Sequence, residues 1–374
     1  MYLSEIELRN FRNYEDRQVE FSPGINVFIG ENAQGKTNLL EAIYVLAMTR
    51  SHRTANDREL INWQAKEAMV KGTVIKQTGQ VPLEVLLGTR GKRVKVNHLF
   101  QSRLSTYIGN LNVVLFAPED LALVKGAPQE RRQFMDTEFS QMSSRYLYAI
   151  SQFRGLLKQR NEYLKQLKYG SQVDQVLLEV LSDQLAESGA AVMAMRFKLL
   201  KRLETWSAQL HEHISQQKED LKLKYISQVM IDEETAENEI AEQLQKLYHE
   251  HQSQEIKLGT TLYGPQRDDI RFLVNEQDVH RFGSQGQQRT TALAVKLAEI
   301  DLMNEQTGEY PLLLLDDVLS ELDDDRQTHL LTAIQDKVQT FFDNDQLKRR
   351  STTIDQSPND FSDCHGTIDK EDKK

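Results

Sequence analysis

The stretch that decides this fold is Gly30-Glu31-Asn32-Ala33-Gln34-Gly35-Lys36-Thr37, which reads G-x-x-x-x-G-K-[ST]. An apolar, β-branched run, 25–29, precedes it, and a helical apolar pattern, 39–46, follows it. The order strand, glycine-rich turn, helix is the context in which this motif binds phosphate. A chance match to a glycine turn is the alternative, and the flanking strand and helix argue against it.

The chemistry of the motif explains its residue types. Glycines let backbone N–H groups close on phosphate oxygens, and the helix N-terminus adds the positive end of its dipole. Lys36 is expected to reach the β- and γ-phosphates and to assist catalysis, and Thr37 to hold Mg²⁺. The sequence therefore predicts an ATP and Mg²⁺ site in which all eight residues of the motif contact the nucleotide.

Length and composition set outer limits. The 374 residues exceed one ordinary core, so we expect two domains or one domain with a large insertion. Cys364 is the single cysteine, which excludes a disulfide framework and fits a reducing cytoplasm. No apolar run approaches the length of a membrane span. The net charge of −10 argues against indiscriminate nucleic-acid binding, so DNA contact would need a local basic patch.

Alternating apolar residues predict strands through the first third of the chain. Three are expected within 1–30, with turns at 12–14 and 22–24, and further strands at 70–75, 81–87, 94–97 and 111–116. Pro128 beside polar residues is a helix start.

Two basic clusters lie within this first third. Lys92, Arg93 and Lys95 form either a solvated hairpin tip, which is the more common case, or a DNA-facing tip. Arg50, His52 and Arg53 follow the P-loop helix, and a structural and a functional role weigh equally for them.

The middle of the chain is helical. Apolar residues from 146 to 167 follow alternating three- and four-residue steps that Arg160 interrupts, and a second stripe runs from 178 to 214. This pattern favours a helical arm packed on itself, and an intermolecular zipper is the alternative. A helix is expected near 240–248, and strands return at 260–263 and 269–274 around a polar turn.

Two acids end a fully apolar run in the last third. Pro311 is followed by Leu312-Leu313-Leu314-Leu315-Asp316-Asp317, the pattern of a Walker B strand. A buried parallel strand of this kind delivers a carboxylate, Asp316, to Mg²⁺. The second acid, Asp317, can polarise the attacking water and is the catalytic candidate.

A second anion site is expected at the start of a later helix. Ser284 and Gly286 stand just before helix 290–303, and a helix N-terminus attracts phosphate.

Together these motifs resemble an ATP-binding-cassette head of the chromosome-maintenance type, and more closely the RecF family of bacterial recombination mediators. Three segments carry the resemblance: 118–136 with its Arg-Arg-Gln-Phe-Met-Asp ending, Gly264-Pro265-Gln266-Arg267-Asp268-Asp269, and 316–323. Gln266 stands where the family pattern has histidine. The resemblance covers about residues 1–341.

The resemblance implies a mechanism. Ser284, Gly286 and Gln287 match the cassette signature motif, which contacts the γ-phosphate held by the other subunit's P-loop. Two heads would close around two ATP molecules as a homodimer, and slow hydrolysis would reopen them. The family also implies binding of single-stranded, gapped or duplex DNA by the closed dimer. It implies partnership with RecR and, with RecO, the loading of RecA during repair, replication restart and SOS induction.

Closure of a dimer reconciles DNA binding with the acidic net charge, because it joins two modest basic patches. Lys92, Arg93, Lys95, Arg131 and Arg132 are the candidates. For Arg131 and Arg132 a salt bridge within the head is the alternative.

The sequence is thus identified as α/β, a P-loop NTPase head of cassette type with an inserted helical lobe. We expect the head, lobe I, to comprise 1–137 and 258–341, and lobe II to comprise 138–257. The polar tail, 342–374, reads as disordered. The sequence departs from the family's threonine run at Phe342-Asp343-Asn344-Asp345. We interpret this departure as a slip of the reading frame.

Two other readings use the same motifs. A transporter subunit is more compact than a chain in which 248 positions separate Lys36 from Ser284. A chromosome-organising head needs far longer coiled coils than 138–258 supplies.

Overall fold

The computed structural model describes residues 1–30, 35–89, 91–170, 175–316, 334, 337–343, 359–364 and 367–371. Contacts divide the chain into two compact units. The first unit is Met1–Asp120 with Glu299–Lys374, and the second unit is Leu121–Ala298. These limits differ from the boundaries at 137/138 and 257/258 that the sequence suggested.

The strands that the structure describes are β1 Tyr2–Phe11, β2 Tyr14–Glu20, β3 Ile25–Gly30, β4 Glu67–Lys76, β5 Gly79–Gly88, β6 Gly91–Val96, β7 Leu99–Phe100, β8 Val113–Phe116, β9 Leu221–Ile226, β10 Asp269–Val274, β11 Gln277–Asp278, β12 Leu312–Asp316, β13 Thr340–Asp343, β14 Asn359–Cys364 and β15 Thr367–Glu371. The described α-helices are α1 Lys36–Met48, α2 Ala122–Lys125, α3 Pro128–Met142, α4 Ser144–Lys168, α5 Gln175–Ile214, α6 Glu237–Glu250, α7 Gln252–Leu258, α8 Val279–Phe282 and α9 Gln285–Thr307. The predicted strands in the first third, the predicted strand that ends at Asp316 and the helix start at Pro128 are confirmed.

The first unit contains two sheets. One is antiparallel in the order β2-β1-β4-β5-β6-β7, and the other has the order β15-β14-β3-β13-β12-β8. In the second sheet β3, β13, β12 and β8 run parallel, with Ile25 opposite Thr340 and Leu312 opposite Val113. Parallel strands buried on both faces read as continuous apolar runs, which explains the Leu312–Leu315 run.

Helix α1 forms the centre of the first unit. It packs against β4 and β5 of the antiparallel sheet and against β12 and β13 of the parallel sheet. Its residues from Leu39 to Met48 are all buried. A helix that is apolar on all sides needs such burial, so the P-loop helix is held rigidly by the core.

Two strands, β14 and β15, lie within the tail that the sequence predicts to be disordered. Strand β14 pairs parallel with β3, with Asn359 opposite Asn26, and β15 pairs antiparallel with β14. Backbone pairing at the edge of β3 satisfies the N–H and C=O groups of both strands without an alternating apolar pattern. A polar sequence of this kind therefore contains no pattern that predicts a strand.

The second unit combines helices with a small antiparallel sheet in the order β11-β10-β9. Helix α3 packs here against α4 and β10, which is why the unit begins before the predicted boundary. Strand β9 was not predicted, although Leu221 and Leu223 alternate with exposed lysines. The surrounding charged residues concealed this two-residue period.

Arg160 interrupts the apolar stripe of α4 because it is itself part of the core. Its side chain is fully buried and donates from Nη2 to Glu255 Oε2 at 2.6 Å and from Nη1 to Thr261 Oγ1 at 2.9 Å. The Tyr248 ring lies 4.6 Å from its guanidinium carbon. A buried arginine with a matched carboxylate fixes one arrangement of α4, α6 and α7.

The strand predicted at 260–263 is wrong. The backbone N–H groups there donate to side chains: Thr261 to Asn161 Oδ1 at 2.7 Å, and Leu262 to Glu255 Oε1 at 2.7 Å. Side-chain acceptors therefore replace the neighbouring strand that an extended segment otherwise needs.

Candidate nucleotide-binding site

The two ends of the P-loop motif are described: β3 ends at Gly30, and α1 begins at Lys36. Gly35 immediately precedes α1 with φ of 123°, a conformation that favours glycine. Lys36 is the first residue of α1, and its side chain is buried. Residues Glu31, Asn32, Ala33 and Gln34 lie outside the described part of the chain, so their predicted contacts stay predictions.

The turn between β1 and β2 braces the start of α1. Tyr14 donates from its hydroxyl to the Gly35 carbonyl at 3.1 Å. Asn38, in the first turn of α1, donates to Asn13 Oδ1 at 2.8 Å and accepts from Arg53 Nη1 at 3.4 Å. Three polar side chains from two separate segments thus contact the start of α1.

A buried carboxylate on α1 ties these segments together. Glu41 is fully buried, and it accepts two hydrogen bonds from Arg12, from Nε at 2.8 Å and from Nη2 at 2.7 Å. Ser51 donates from Oγ to Glu41 Oε1 at 2.5 Å. The Arg12 backbone has φ of 52°, a left-handed turn that aims its side chain at the helix. The bidentate pair therefore fixes the β1–β2 turn and residue 51 against the P-loop helix.

Hydrogen bonding keeps Glu41 ionised. Burial alone would raise the pKa of this carboxyl, but hydrogen bonds from Arg12 and Ser51 outweigh burial, and the pKa lies below its usual range.

Asp316 ends β12 at the edge of the parallel sheet where β3 also ends. Its carboxylate is partly exposed, and its Oδ2 lies 3.5 Å from His52 Nε2. The His52 ring meets Tyr44 of α1 edge-on at 5.2 Å between centroids. One member of the basic cluster at 50–53 therefore lies beside the predicted metal ligand.

The donor set fits a nucleotide with Mg²⁺. Among the described residues no cluster of three or more His, Cys, Asp or Glu side chains is arranged to hold a metal ion. Mg²⁺ in nucleotide sites takes one or two protein oxygens and completes its shell with phosphate and water. Thr37 and Asp316 carry side-chain oxygens that would suit Mg²⁺, and Lys36 carries a cation that would suit phosphate. Asp317 lies outside the described residues.

The predicted signature residues lie in the second unit, at the start of α9. Ser284 is exposed, and Gly286 and Gln287 form the first turn with it. Gln287 donates its backbone N–H to Ser284 Oγ at 3.2 Å, and Ser284 donates its own to Gln287 Oε1 at 2.9 Å. This reciprocal pair is a capping box, which fixes the first turn of α9.

The candidate DNA residues of the β6 hairpin all lie beside acids. Lys92 Nζ lies 2.9 Å from Asp57 Oδ1 and donates to the Thr49 carbonyl, Lys95 Nζ lies 2.8 Å from Glu84 Oε1, and Arg93 lies 3.8 Å from Glu67. Lys92 thereby holds the C-terminal end of α1. Arg93 is the most exposed of the three basic side chains.

The candidates on α3 are engaged within the second unit. Arg131 is buried and bonds both oxygens of Asp269, from Nε at 2.6 Å and from Nη2 at 3.0 Å. Arg132 donates to the Asp268 carbonyl at 2.9 Å. The salt-bridge alternative accounts for Arg131.

Sequence reasoning missed the bracing residues Arg12, Tyr14, Glu41 and Ser51. One signal was present: Glu41 is the only charged residue within the apolar run 39–48 of the P-loop helix. A carboxylate at a position that the helix must bury requires a partner. No described helix is both long and apolar enough to cross a membrane.

Comparison with known proteins decides the family. The family model described as "AAA ATPase domain" matches residues 1–371. The DNA replication and repair protein RecF of Limosilactobacillus fermentum is 66% identical over 371 residues, covering 99% of this chain and 100% of the relative. The chain belongs to the RecF family. RecF of Limosilactobacillus reuteri is 61% identical over 374 residues, covering 100% of both chains.

Solved structures agree with this assignment. The recombination mediator RecF in complex with ATP, from the RecFOR pathway, matches with a TM-score of 0.90 at 34% identity, covering 99% of this chain and 98% of that one. The Smc head domain of Pyrococcus furiosus matches with a TM-score of 0.54 at 16% identity, covering 99% and 96%, and shows a shared fold alone. The expected cassette-head fold is confirmed.

The RecF match corrects one expectation. We placed the end of the resemblance near residue 341, but the family model reaches residue 371 and a RecF relative aligns over the whole chain. The reading-frame interpretation of residues after 341 stays a prediction that sequencing of the gene checks.

Proposed function

We propose that this protein is an ATP-switched DNA-binding mediator of DNA repair and replication. The observation that carries the proposal is the pairing of a braced P-loop helix with Asp316 at one edge of the parallel sheet, in a chain of the RecF family. Family relatives are named for DNA replication and repair, and a RecF structure contains ATP, which supports a nucleotide as the ligand.

In the proposed cycle, Lys36 binds the β- and γ-phosphates, and Thr37 and Asp316 hold Mg²⁺. Asp317 orients the attacking water. Ser284, Gly286 and Gln287 contact the γ-phosphate bound by a second copy, so ATP closes a homodimer and slow hydrolysis opens it. The closed dimer binds single-stranded, gapped or duplex DNA in the cytoplasm. It works with RecR, and with RecO and RecA in the same pathway, during repair and SOS induction.

Light scattering of the Asp317→Asn variant tests the switch. The variant should bind ATP without hydrolysing it, so we expect a dimer with ATP and Mg²⁺ and a monomer without them. Lys36→Ala in the same background is the control and should stay monomeric, because it lacks the phosphate-binding ammonium. A monomer in both variants under all conditions would contradict the proposal.

A pulldown with purified RecR distinguishes the mediator from a transporter subunit or a chromosome-organising head. We expect capture of RecR in the presence of ATP and DNA. Absence of capture, with dimer formation intact, would favour one of the two other classes.

A further inference from the structure

The side chain of Gln287 has a fixed orientation. Its Oε1 accepts from the Ser284 backbone N–H at 2.9 Å, and its Nε2 donates to Glu219 Oε1 at 2.9 Å. A backbone N–H can only donate and a carboxylate can only accept, so rotating the amide by half a turn would lose both bonds. Glu219 therefore decides which end of the Gln287 amide faces Ser284.

Glu219 is itself held in place by the strands beside it. It lies between α5 and β9, and the next residue, Asp220, exchanges two hydrogen bonds with Asn275 in the turn between β10 and β11. Asp220 N donates to Asn275 Oδ1 at 3.0 Å, and Asn275 N donates to the Asp220 carbonyl at 3.0 Å. The carboxylate thus approaches α9 from the start of β9, which these two hydrogen bonds tie to the turn between β10 and β11.

His211 lies close to Glu219 but does not donate a hydrogen bond to its carboxylate. This histidine, in the last turn of α5, is fully buried, and its Nε2 lies 3.8 Å from Glu219 Oε2. Burial lowers the pKa of His211 despite the neighbouring carboxylate, so the ring is neutral at pH 7. Glu219 instead accepts a hydrogen bond from Gln287 at 2.9 Å, and this bond is charge-assisted because the carboxylate is ionised.

This arrangement sets the direction of the Ser284 hydroxyl. Ser284 Oγ accepts from the Gln287 N–H at 3.2 Å, and a hydroxyl that accepts one bond still has its own hydrogen to donate. Ser284 is exposed, so that hydrogen can reach a phosphate oxygen brought by another molecule.

We propose that Glu219 is a positioning residue for the signature motif: its carboxylate orients Gln287, and through Gln287 it presents the Ser284 hydroxyl to the γ-phosphate held by a second copy. The inference rests on the proposed function, because it assumes that the signature motif of one copy binds the nucleotide of the other.

The test measures the ATP-dependent dimer of full-length Asp317→Asn protein by sedimentation, with added Glu219→Ala or Glu219→Gln. Losing a charge-assisted hydrogen bond should weaken the dimer roughly tenfold to a hundredfold in Glu219→Ala. Glu219→Gln keeps an acceptor oxygen for Gln287. Its dimer affinity should therefore stay within about threefold of the parent, because replacing a charge-assisted hydrogen bond by a neutral one costs less than losing the bond. Binding of a fluorescent ATP analogue to the monomer should be unchanged in both, because the P-loop belongs to the other unit.

Two further variants separate the inference from the proposed function. Ser284→Arg should abolish the dimer, and a dimer that survives it would overturn the proposed function itself. Glu276→Ala removes an exposed carboxylate, paired with Lys222, from the turn that holds Asp220, and it should leave the dimer unchanged.

Three results would overturn the positioning role while Ser284→Arg still blocks the dimer. The first is a Glu219→Ala dimer as strong as that of the parent. The second is a Glu219→Gln dimer as weak as that of Glu219→Ala. The third is a Glu276→Ala dimer as weak as that of Glu219→Ala. The unfolding midpoint followed by Trp206 fluorescence checks that each variant is folded. If Glu219→Ala does not fold, a Glu219→Gln dimer weakened more than threefold counts against the proposal, and one within threefold supports it.

Discussion

Glu41 of the first unit and Asp268 of the second unit are both buried carboxylates that face an arginine, and yet their pKa values are displaced in opposite directions. The pKa of Glu41 lies below its usual range, whereas burial raises the pKa of Asp268 to about 6. Comparing the two residues distinguishes the effect of an adjacent charge on a buried carboxyl pKa from the effect of hydrogen bonds.

The difference lies in how completely each carboxylate is bonded. Both oxygens of Glu41 accept from Arg12 or Ser51 within 2.8 Å. Asp268 accepts from the Tyr225 hydroxyl on Oδ2 and also interacts with the Ser227 side chain. Among the described residues, its Oδ1 accepts no hydrogen bond within the usual limits of distance and angle.

The arginine beside Asp268 is also divided among several acceptors. Arg196 donates to the Pro265 carbonyl at 2.6 Å, to Asp136 Oδ1 at 2.7 Å and to the Tyr146 hydroxyl at 3.0 Å, and it lies 3.6 Å from Asp268. A shared cation at that distance does not offset burial. In this pair of residues, the hydrogen bonds from Arg12 and Ser51 offset the burial of Glu41, whereas the shared Arg196 does not offset the burial of Asp268.

The largest effect is expected from Arg196→Met. The substitution leaves Asp136 and Asp268 buried without their shared cation, which should cost about 3–5 kcal/mol in the free energy of unfolding. Urea unfolding followed by Trp206 fluorescence measures it. Trp63, the other tryptophan, is fully exposed in the folded protein and should be replaced by phenylalanine in all samples.

Arg154→Met is the matched control for Arg196→Met. Arg154 bonds the other oxygen of Asp136 at 2.7 Å, but its side chain is largely exposed, so its loss should cost at most about 1 kcal/mol. Equal destabilisation by the two variants would refute the view that burial makes the difference.

A smaller effect is expected from Glu41→Gln. The amide cannot accept all three hydrogen bonds, which should cost about 1–3 kcal/mol at pH 7 and speed hydrogen exchange in α1. Since the folded pKa of Glu41 is lowered, its contribution is present above the unfolded value near 4.5 and is lost as the pH falls through the folded value. The difference in unfolding free energy between the variant and the parent should therefore become smaller in acid.

Exposed Glu59→Gln serves as the comparison for Glu41→Gln. It removes a carboxylate near the same turn and should leave exchange in α1 unaltered. The difference in unfolding free energy between Glu41→Gln and the parent could instead stay constant from pH 7 to the acid limit. That result would contradict a stabilising role for the ionised, hydrogen-bonded carboxylate.

The smallest effect is expected from Asp268→Asn. Because the folded pKa is raised to about 6, the ionised carboxylate opposes folding above that pH, and the parent gains stability as the pH falls from 6 toward 3.8. The variant lacks this gain. At pH 7.5 we expect the variant to equal or slightly exceed the parent in unfolding free energy, and at pH 5 to fall below it by about 1 kcal/mol or more. A pH-independent difference would show that Asp268 titrates normally.

The sequence predicted the features that depend on local pattern. The strand that ends at Asp316, the helix that begins at Lys36 and the first strands follow from motif and alternation, and the structure confirms their positions. The Arg12–Glu41 pair could not be read, because it depends on a left-handed backbone at Arg12 that joins residues 29 positions apart. Strand β14 and the segment 260–263 were missed because distant backbone or side-chain partners determine them.

The neighbours of β3 have a consequence for synthesis. Both strands that flank it, β13 and β14, come from residues 340–364, more than 300 positions later in the chain. At about 5–20 residues per second, the ribosome needs roughly 15–60 s to deliver them. Throughout that interval the strand leading into the P-loop has two unpaired edges, which makes the nascent chain a substrate for holding chaperones and a candidate for aggregation when translation stalls late.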